Sequence, residues 1–158
     1  MGALQLAVGL PSIACAVEEP NNPIYSREDD GDLRAAEAEA RRTLPIFWKK
    51  FREQSSPYYA LDVAFALPAG VENLWVRPLR LENGKVLVRL VSEPAQVQLK
   101  YGAEVWIEPG RIVDWQYAQG GKLYGAFTTR ALMTRVSPDQ RDAAARILAP
   151  TPLEPGDR

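Results

Sequence analysis

The sequence predicts an α+β fold, a curled antiparallel sheet or small β-barrel flanked by an N-terminal and a C-terminal helix. Three observations predict it. Apolar residues recur at three- and four-residue steps from Leu33 to Phe51. Between Tyr58 and Phe127 the period falls to two, and "ENGK" at 82–85 supplies the Asn-Gly pair of a tight hairpin. A Ser-Pro pair at 137–138 then opens a second helical stretch.

In the first stretch Leu33, Ala36, Ala40, Leu44, Phe47 and Phe51 form one stripe, with Asp30 or Asp32 placed to cap it. Pro45 interrupts the pattern and predicts a kink near Arg41 or two helices meeting there. Tyr59, Leu61, Val63, Phe65 and Leu67 then alternate with smaller or polar neighbours, a half-buried strand ending at Pro68. "LWVRPLRLENGKVLVRLV" reads as a hairpin turning at Asn83-Gly84, in which Leu81 faces Val86 and Leu79 faces Val88. Pro78, unable to donate to a ladder, marks an edge or a bulge. Further strands are expected at 103–108, 111–117 and 122–127. In "SPDQRDAAARIL" Ser137 caps, Pro138 takes the first helical position and Gln140 completes a capping box. Residues 1–29 read as a signal-like apolar arm and linker, 30–149 as a single domain, and 150–158, "PTPLEPGDR", as a disordered tail.

Composition narrows the chemistry. Lys and Arg number 19 against 20 Asp and Glu, for a net charge of -1 without a basic block, which argues against a nucleic-acid partner. With no His and a single Cys, the commonest metal ligand, the usual neutral-pH base and any intrachain disulfide are absent. "EDDGD" is too short for a calcium loop, and no Gly-rich phosphate loop or G-x-S-x-G occurs, so neither cofactor nor metal is expected. The run from Gly2 to Val17 is apolar except for Gln5 and Ser12, too short to span a bilayer, and resembles the end of an export signal. Small residues precede Cys15 as in a lipoprotein cleavage site, so a lipid anchor at Cys15 and a periplasmic or envelope location are expected, with the cytoplasm as the alternative.

"DWQYAQGGKLYGAFTTRAL", residues 114–132, gathers the candidate site. With Ala118 to Gly121 as the loop, Tyr117 faces Lys122, Trp115 faces Tyr124, Asp114 faces Gly125 and Ile112 faces Phe127. An Asp among apolar residues needs partners, because burying it unpaired costs several kcal/mol. Arg130, Lys122 and the N–H groups of Thr128 and Thr129 are the nearest by sequence. Either Asp114 and Arg130 staple the hairpin to the following turn, or Asp114, Trp115, Lys122 and Arg130 form the rim of a cleft.

"ARRTLPIF", "ENLWVRPL", "GKVLVRLVSEPAQVQLKYGAEVWI" and "IVDWQYAQGGKLYGAFTTRAL" together resemble the YegJ family, a bacterial domain of unknown function whose members are often exported. The resemblance runs from about Leu33 to Leu132. Where the family's E-x-x-W-V commonly places a histidine after the glutamate, this chain has Asn73. The resemblance implies a fold and a compartment and no substrate.

The binding candidates are therefore Trp75, Asp114, Trp115, Tyr117, Lys122 and Arg130, with Thr128 beside them and no catalytic residue assigned. The function expected is a non-catalytic binding or interaction module of the bacterial cell envelope, taking an unknown protein or a small anionic ligand. The alternatives are a small hydrolase using Asp114 and Glu72 as a carboxylate pair, and an immunity-like inhibitor protein.

Overall fold

The structure is a computed structural model that describes residues 30–157. Helix α1 (Gly31–Glu53) is followed by strands β1 (Tyr59–Leu67), β2 (Gly70–Glu82), β3 (Lys85–Leu90) and β4 (Glu104–Ile107). A single 3-10 turn (Pro109–Arg111) leads to β5 (Ile112–Gln119), β6 (Lys122–Gly125), a short helix α2 (Phe127–Leu132) and α3 (Pro138–Ile147). The expected signal-like arm and Cys15 lie outside the described residues.

Local chemistry accounts for the helix ends. Asp30 Oδ1 accepts from the N–H groups of Asp32 and Leu33, both at 3.1 Å, which fixes the start of α1. Instead of two helices, one 23-residue helix runs through Pro45. Ala40 and Phe47, on either side of that proline, are both buried in the main core, and this packing holds the two flanks in line. Ser137 and Gln140 form the capping box of α3 with Pro138 in its first turn.

The sheet is antiparallel throughout, in the order β4-β3-β2-β1-β5-β6. The linear order leaves it open, so of the two expected forms the curled sheet is present and the closed barrel is not. Its curl follows from chain length. From Ile107 to Ile112 the chain has five steps, at most about 17–18 Å fully extended. In a flat sheet β4 and β5 would lie four strand spacings apart, about 19 Å. The sheet must therefore bend until the end of β4 approaches the start of β5.

The hairpin at Asn83-Gly84 has both residues at positive φ, and Leu81 pairs with Val86 as expected. Beyond it the register shifts between Pro78 and Arg80, so Val88 faces Pro78 and not Leu79. The missing N–H of Pro78 is accommodated at this bulge. The β5-β6 hairpin corrects a second expectation. Its loop is only Gly120-Gly121, at φ 57° and 74°, so Gln119 faces Lys122, Tyr117 faces Tyr124 and Gln116 faces Gly125. The shift is by two residues, which preserves the faces while changing every partner.

Helix α1 covers one face of the sheet. Phe47 sits among Trp48, Phe51, Tyr59 and Trp115, with ring centroids 5.1–6.4 Å apart, and Leu61, Val63, Leu74, Val76, Val86 and Val88 complete this core. Residues 150–157, expected to be a disordered tail, are instead bound to the domain. Ala149 N–H donates to Leu123 O and Gly125 N–H donates to Pro152 O, which closes the β6 edge. Composition misled because Pro and acidic residues discourage regular structure without preventing an extended segment from docking on donors and acceptors already in place.

Candidate functional site

The β5-β6 hairpin is an anchoring point of the fold. Trp115 is 0 % exposed and Tyr117 1 %. Trp115 Nε1 donates to Ala40 O of α1 at 2.9 Å, and its ring stacks on Tyr117 with centroids 5.8 Å apart. The Tyr117 hydroxyl donates to Glu154 Oε1 at 2.7 Å, and burial together with that carboxylate pushes its pKa well above the ordinary tyrosine value. Lys50 Nζ reaches the same Glu154 oxygen at 2.9 Å and Asp157 at 3.4 Å. Burial works against an ionised Glu154, yet the bonds from Lys50 and Tyr117 prevail and hold its carboxyl below the usual range.

Asp114 is 0 % exposed. Its Oδ1 accepts from Trp115 N–H at 2.8 Å and Phe127 N–H at 3.2 Å, and its Oδ2 accepts from Thr128 N–H at 2.8 Å and the Thr128 hydroxyl at 2.6 Å. The carboxylate thus caps α2, whose own N-cap residue Ala126 makes no side-chain cap bond. Arg130 does not bond to it, which corrects the expected staple. Its guanidinium donates to the carbonyls of Gly125 and Ala149 at 2.8 Å, Leu123 at 3.2 Å and Thr151 at 3.5 Å. Asp114 and Arg130 fasten the same hairpin end separately, one through backbone donors and the other through backbone acceptors. Of the donors named from the sequence, the Thr128 N–H is the one used. Lys122 Nζ donates to Arg146 O at 2.6 Å, tying β6 to α3.

Gly125 makes this crossing possible. It sits at φ +75°, and a Cβ there would lie 2.2 Å from Trp115 O and 2.5 Å from the Trp115 ring.

Glu72 and Asp114 do not converge. Glu72 alternates with Leu74 and Val76 on the α1 side of β2 and faces Phe65, whereas Asp114 pairs in register with Asp62 on the opposite side of the sheet. Glu72 accepts from the N–H groups of Ala95, Gln96 and Val97 at 2.6–2.9 Å. Its partial burial opposes ionisation, but these three bonds hold its carboxyl below the usual range and fasten the loop between β3 and β4.

Asp62 was not singled out from the sequence, although a lone charge in "YALDVAFAL" was the available signal. It is buried, lies between Trp75 and Asp114 in the cross-strand order, and accepts from Asn73 Nδ2 at 3.5 Å. Trp75 is half-buried, and its backbone N–H and C=O both bond to Ser92 Oγ. Val113 lies at a register shift between Asp62 and Val63, so the two carboxylates meet beside a bulge. Among the described residues no group of three or more His, Cys, Asp or Glu is placed to hold a metal ion, and no helix is long and apolar enough to cross a membrane.

The remaining surface of interest is the outer face of β2, β3 and β4. Arg80, Leu87 and Trp106 lie in one cross-strand row, with the Arg80 guanidinium 5.3 Å from the centre of the Trp106 ring. The next row is Arg77, Arg89 and Glu104, where Arg89 bonds to Glu104 and Arg77 has no ion pair among the described residues. Trp106 is 45 % exposed.

The profile of a bacterial family described as "Uncharacterized protein conserved in bacteria (DUF2314)" matches residues 30–147, nearly the whole described domain. The chain belongs to this family. It is similar to "Uncharacterized protein YegJ" of Escherichia coli (strain K12), 24 % identical over 104 residues that cover 65 % of this chain and 68 % of the relative. It is also similar to "Putative ankyrin repeat protein NMB1133/NMB1171" of Neisseria meningitidis serogroup B (strain ATCC BAA-335 / MC58), 24 % identical over 128 residues covering 74 % of this chain. The match spans about half, 51 %, of that second relative. No solved structure matches. The family match agrees with the anatomy, since residues 30–147 begin at the Asp30 cap and end with α3.

Proposed function

We propose that this domain is a non-catalytic binding module that docks a protein partner on the outer face of β2, β3 and β4, and that it works at the bacterial cell envelope. The observation that carries the reading is the Trp106 row. An exposed Trp and Leu87 lie beside Arg80, and Arg77 faces Arg89 across β2 and β3. Like charges directly opposite one another are unfavourable, and Arg89 already has Glu104. A partner that brings a carboxylate to Arg77 and apolar side chains to Trp106 would relieve that pair, and Trp and Arg are the residue types that dominate binding energy at interfaces. The candidate acids support the same reading: Asp114 and Glu72 are occupied by backbone donors and lie on opposite faces of the sheet. The envelope location rests on the apolar run of residues 2–17 and on Cys15; fractionation of the native cell and the intact mass of the purified protein test it.

A photoreactive amino acid at position 106 in living cells, set against one at exposed Glu53 of α1, tests the docking face. The partner crosslinked at 106 is then purified and titrated with the wild-type domain and with Trp106→Ala and Arg77→Glu. Loss of at least about tenfold in affinity for both variants, with Glu53→Ala unchanged, is expected. Equal adducts at both positions, or unchanged affinities, would remove this face from consideration.

A further inference from the structure

Residues 148–157 follow α3 along the β6 edge and carry no regular structure beyond one bridge between Leu148 and Leu123. The domain supplies donors to this segment, and the segment answers with acceptors. Gly125 N–H donates to Pro152 O at 2.7 Å, and Arg130 donates to Ala149 O at 2.8 Å and Thr151 O at 3.5 Å. Lys50 and Tyr117 converge on one oxygen of Glu154, at 2.9 and 2.7 Å. In the other direction, Ala149 N–H donates to Leu123 O at 2.8 Å. Pro150, Pro152 and Pro155 have no N–H to give, so a segment of this composition needs a surface of donors.

Two observations separate the groove from what fills it. Arg130 is also held by carbonyls of the domain, Gly125 at 2.8 Å and Leu123 at 3.2 Å, and the Tyr117 ring is stacked on both Trp115 and Tyr124, with centroids 5.8 and 5.7 Å apart. The domain itself therefore aims these donors. Moreover, Lys50, Tyr117, Leu123, Gly125 and Arg130 all lie within the family-matched residues 30–147, and the segment they hold follows that span.

We propose that this groove is a peptide-binding site, that residues 149–155 are its resident occupant, and that it accepts from another molecule a proline-rich peptide with a leucine followed by a carboxylate. The donors define that ligand. Its carboxylate meets Lys50 and Tyr117, its leucine takes the place of Leu153 against the main core, and the residues before it present carbonyls to Gly125 and Arg130. Main-chain bonds supply affinity and the leucine and carboxylate supply specificity. Prolines fit the role, since they forfeit no donor bond and have little backbone freedom to lose. The resident segment is tethered through α3, at an effective concentration in the millimolar range. An outside peptide therefore enters when the anchor of the resident one is lost. The groove lies at the β6 edge, apart from the Trp106 row at the β4 end of the sheet, and does not depend on it.

The test uses the full chain. Glu154→Lys sets a lysine against Lys50 and so weakens the resident segment without shortening the protein. A fluorescent peptide of residues 148–157, LAPTPLEPGD, is titrated against this variant and against wild type by anisotropy. Saturable binding to Glu154→Lys is expected, at least about tenfold weaker to wild type, and lost when the glutamate of the peptide is replaced by lysine. No binding to the folded variant, equal binding to both chains, or indifference to that glutamate overturns the site. If Glu154→Lys does not fold, hydrogen exchange in wild type decides. Gly125 N–H depends on Pro152 O of the segment, whereas the neighbouring Ala126 N–H donates to Trp115 O within the domain at 2.8 Å. Release of the segment predicts protection at Gly125 at least about tenfold below that at Ala126. Equal protection at the two amides would make the segment a fixed part of the fold and overturn the proposal.

Discussion

The two halves of the sheet treat charge in opposite ways. In β1 and β5 consecutive residues are buried on both faces: Tyr59 to Val63 form one buried run and Ile112 to Trp115 another. In β3 burial alternates, with Val86, Val88 and Leu90 inward and Lys85 and Arg89 exposed. A carboxylate in the first half must be satisfied by fixed donors, and Asp114 takes four. In the second half Glu104 and Glu108 meet Arg89 and Lys85 in solvent, where such pairs contribute little. The covered half is therefore expected to carry stability and the open half to be free for recognition.

Substitutions can break or sharpen that contrast. Trp115→Ala should cost the most, about 3–5 kcal/mol by chemical denaturation, because it empties the space between Phe47 and Tyr117 and removes a donor from Ala40 O. Asp114→Asn should follow at about 1–3 kcal/mol, since an amide nitrogen at the Oδ2 position cannot accept from the Thr128 N–H. Combining it with Arg130→Met should show only a small coupling, since the two side chains share no bond and act on each other only through space; a coupling of about 3 kcal/mol or more, as in a directly bonded buried pair, would restore the staple. Glu154→Ala should cost on the order of 1 kcal/mol, by freeing the Tyr117 hydroxyl and leaving Lys50 with Asp157 alone. On the open face Trp106→Ala should change stability by no more than about 0.5 kcal/mol. A loss as large as that of Asp114→Asn would mean that Trp106 serves the fold, and the division between the halves would fail.

The order and type of most elements were legible because each rests on neighbours in sequence; the short helix α2 was not foreseen, because the carboxylate that caps it, Asp114, comes from β5. The stripe from Leu33 to Phe51, the alternation in "YALDVAFAL", the Asn83-Gly84 turn and the Ser137 capping box all act within a few residues. The register of the second hairpin was misread because two glycines suffice for a loop of two and also fit a loop of four, a choice made by the stacking of Tyr117 on Tyr124. The candidate site suffered for the same reason. Asp114 was found as a charge that needs partners, but the sequence set it against Gly125, where the structure has Gln116. That Arg130 would instead satisfy carbonyls of residues 149 and 151 depends on where the C-terminal segment docks.

By itself, then, the sequence determined the period of most elements, the caps of α1 and α3, the Asn83-Gly84 turn, and a composition without histidine, with one cysteine and without a Gly-rich phosphate loop, all properties of residue type and short spacing. The tertiary structure decided which face of each strand is covered, that the sheet curls without closing, that Glu72 and Asp114 lie on opposite faces, and that Asp62 lies beside Asp114. The two aspartates are 52 residues apart in the chain, 114 less 62. What brings them together is β5 returning to pair with β1 after a three-strand excursion, and pairing across that distance is set by the packing of the whole sheet against α1.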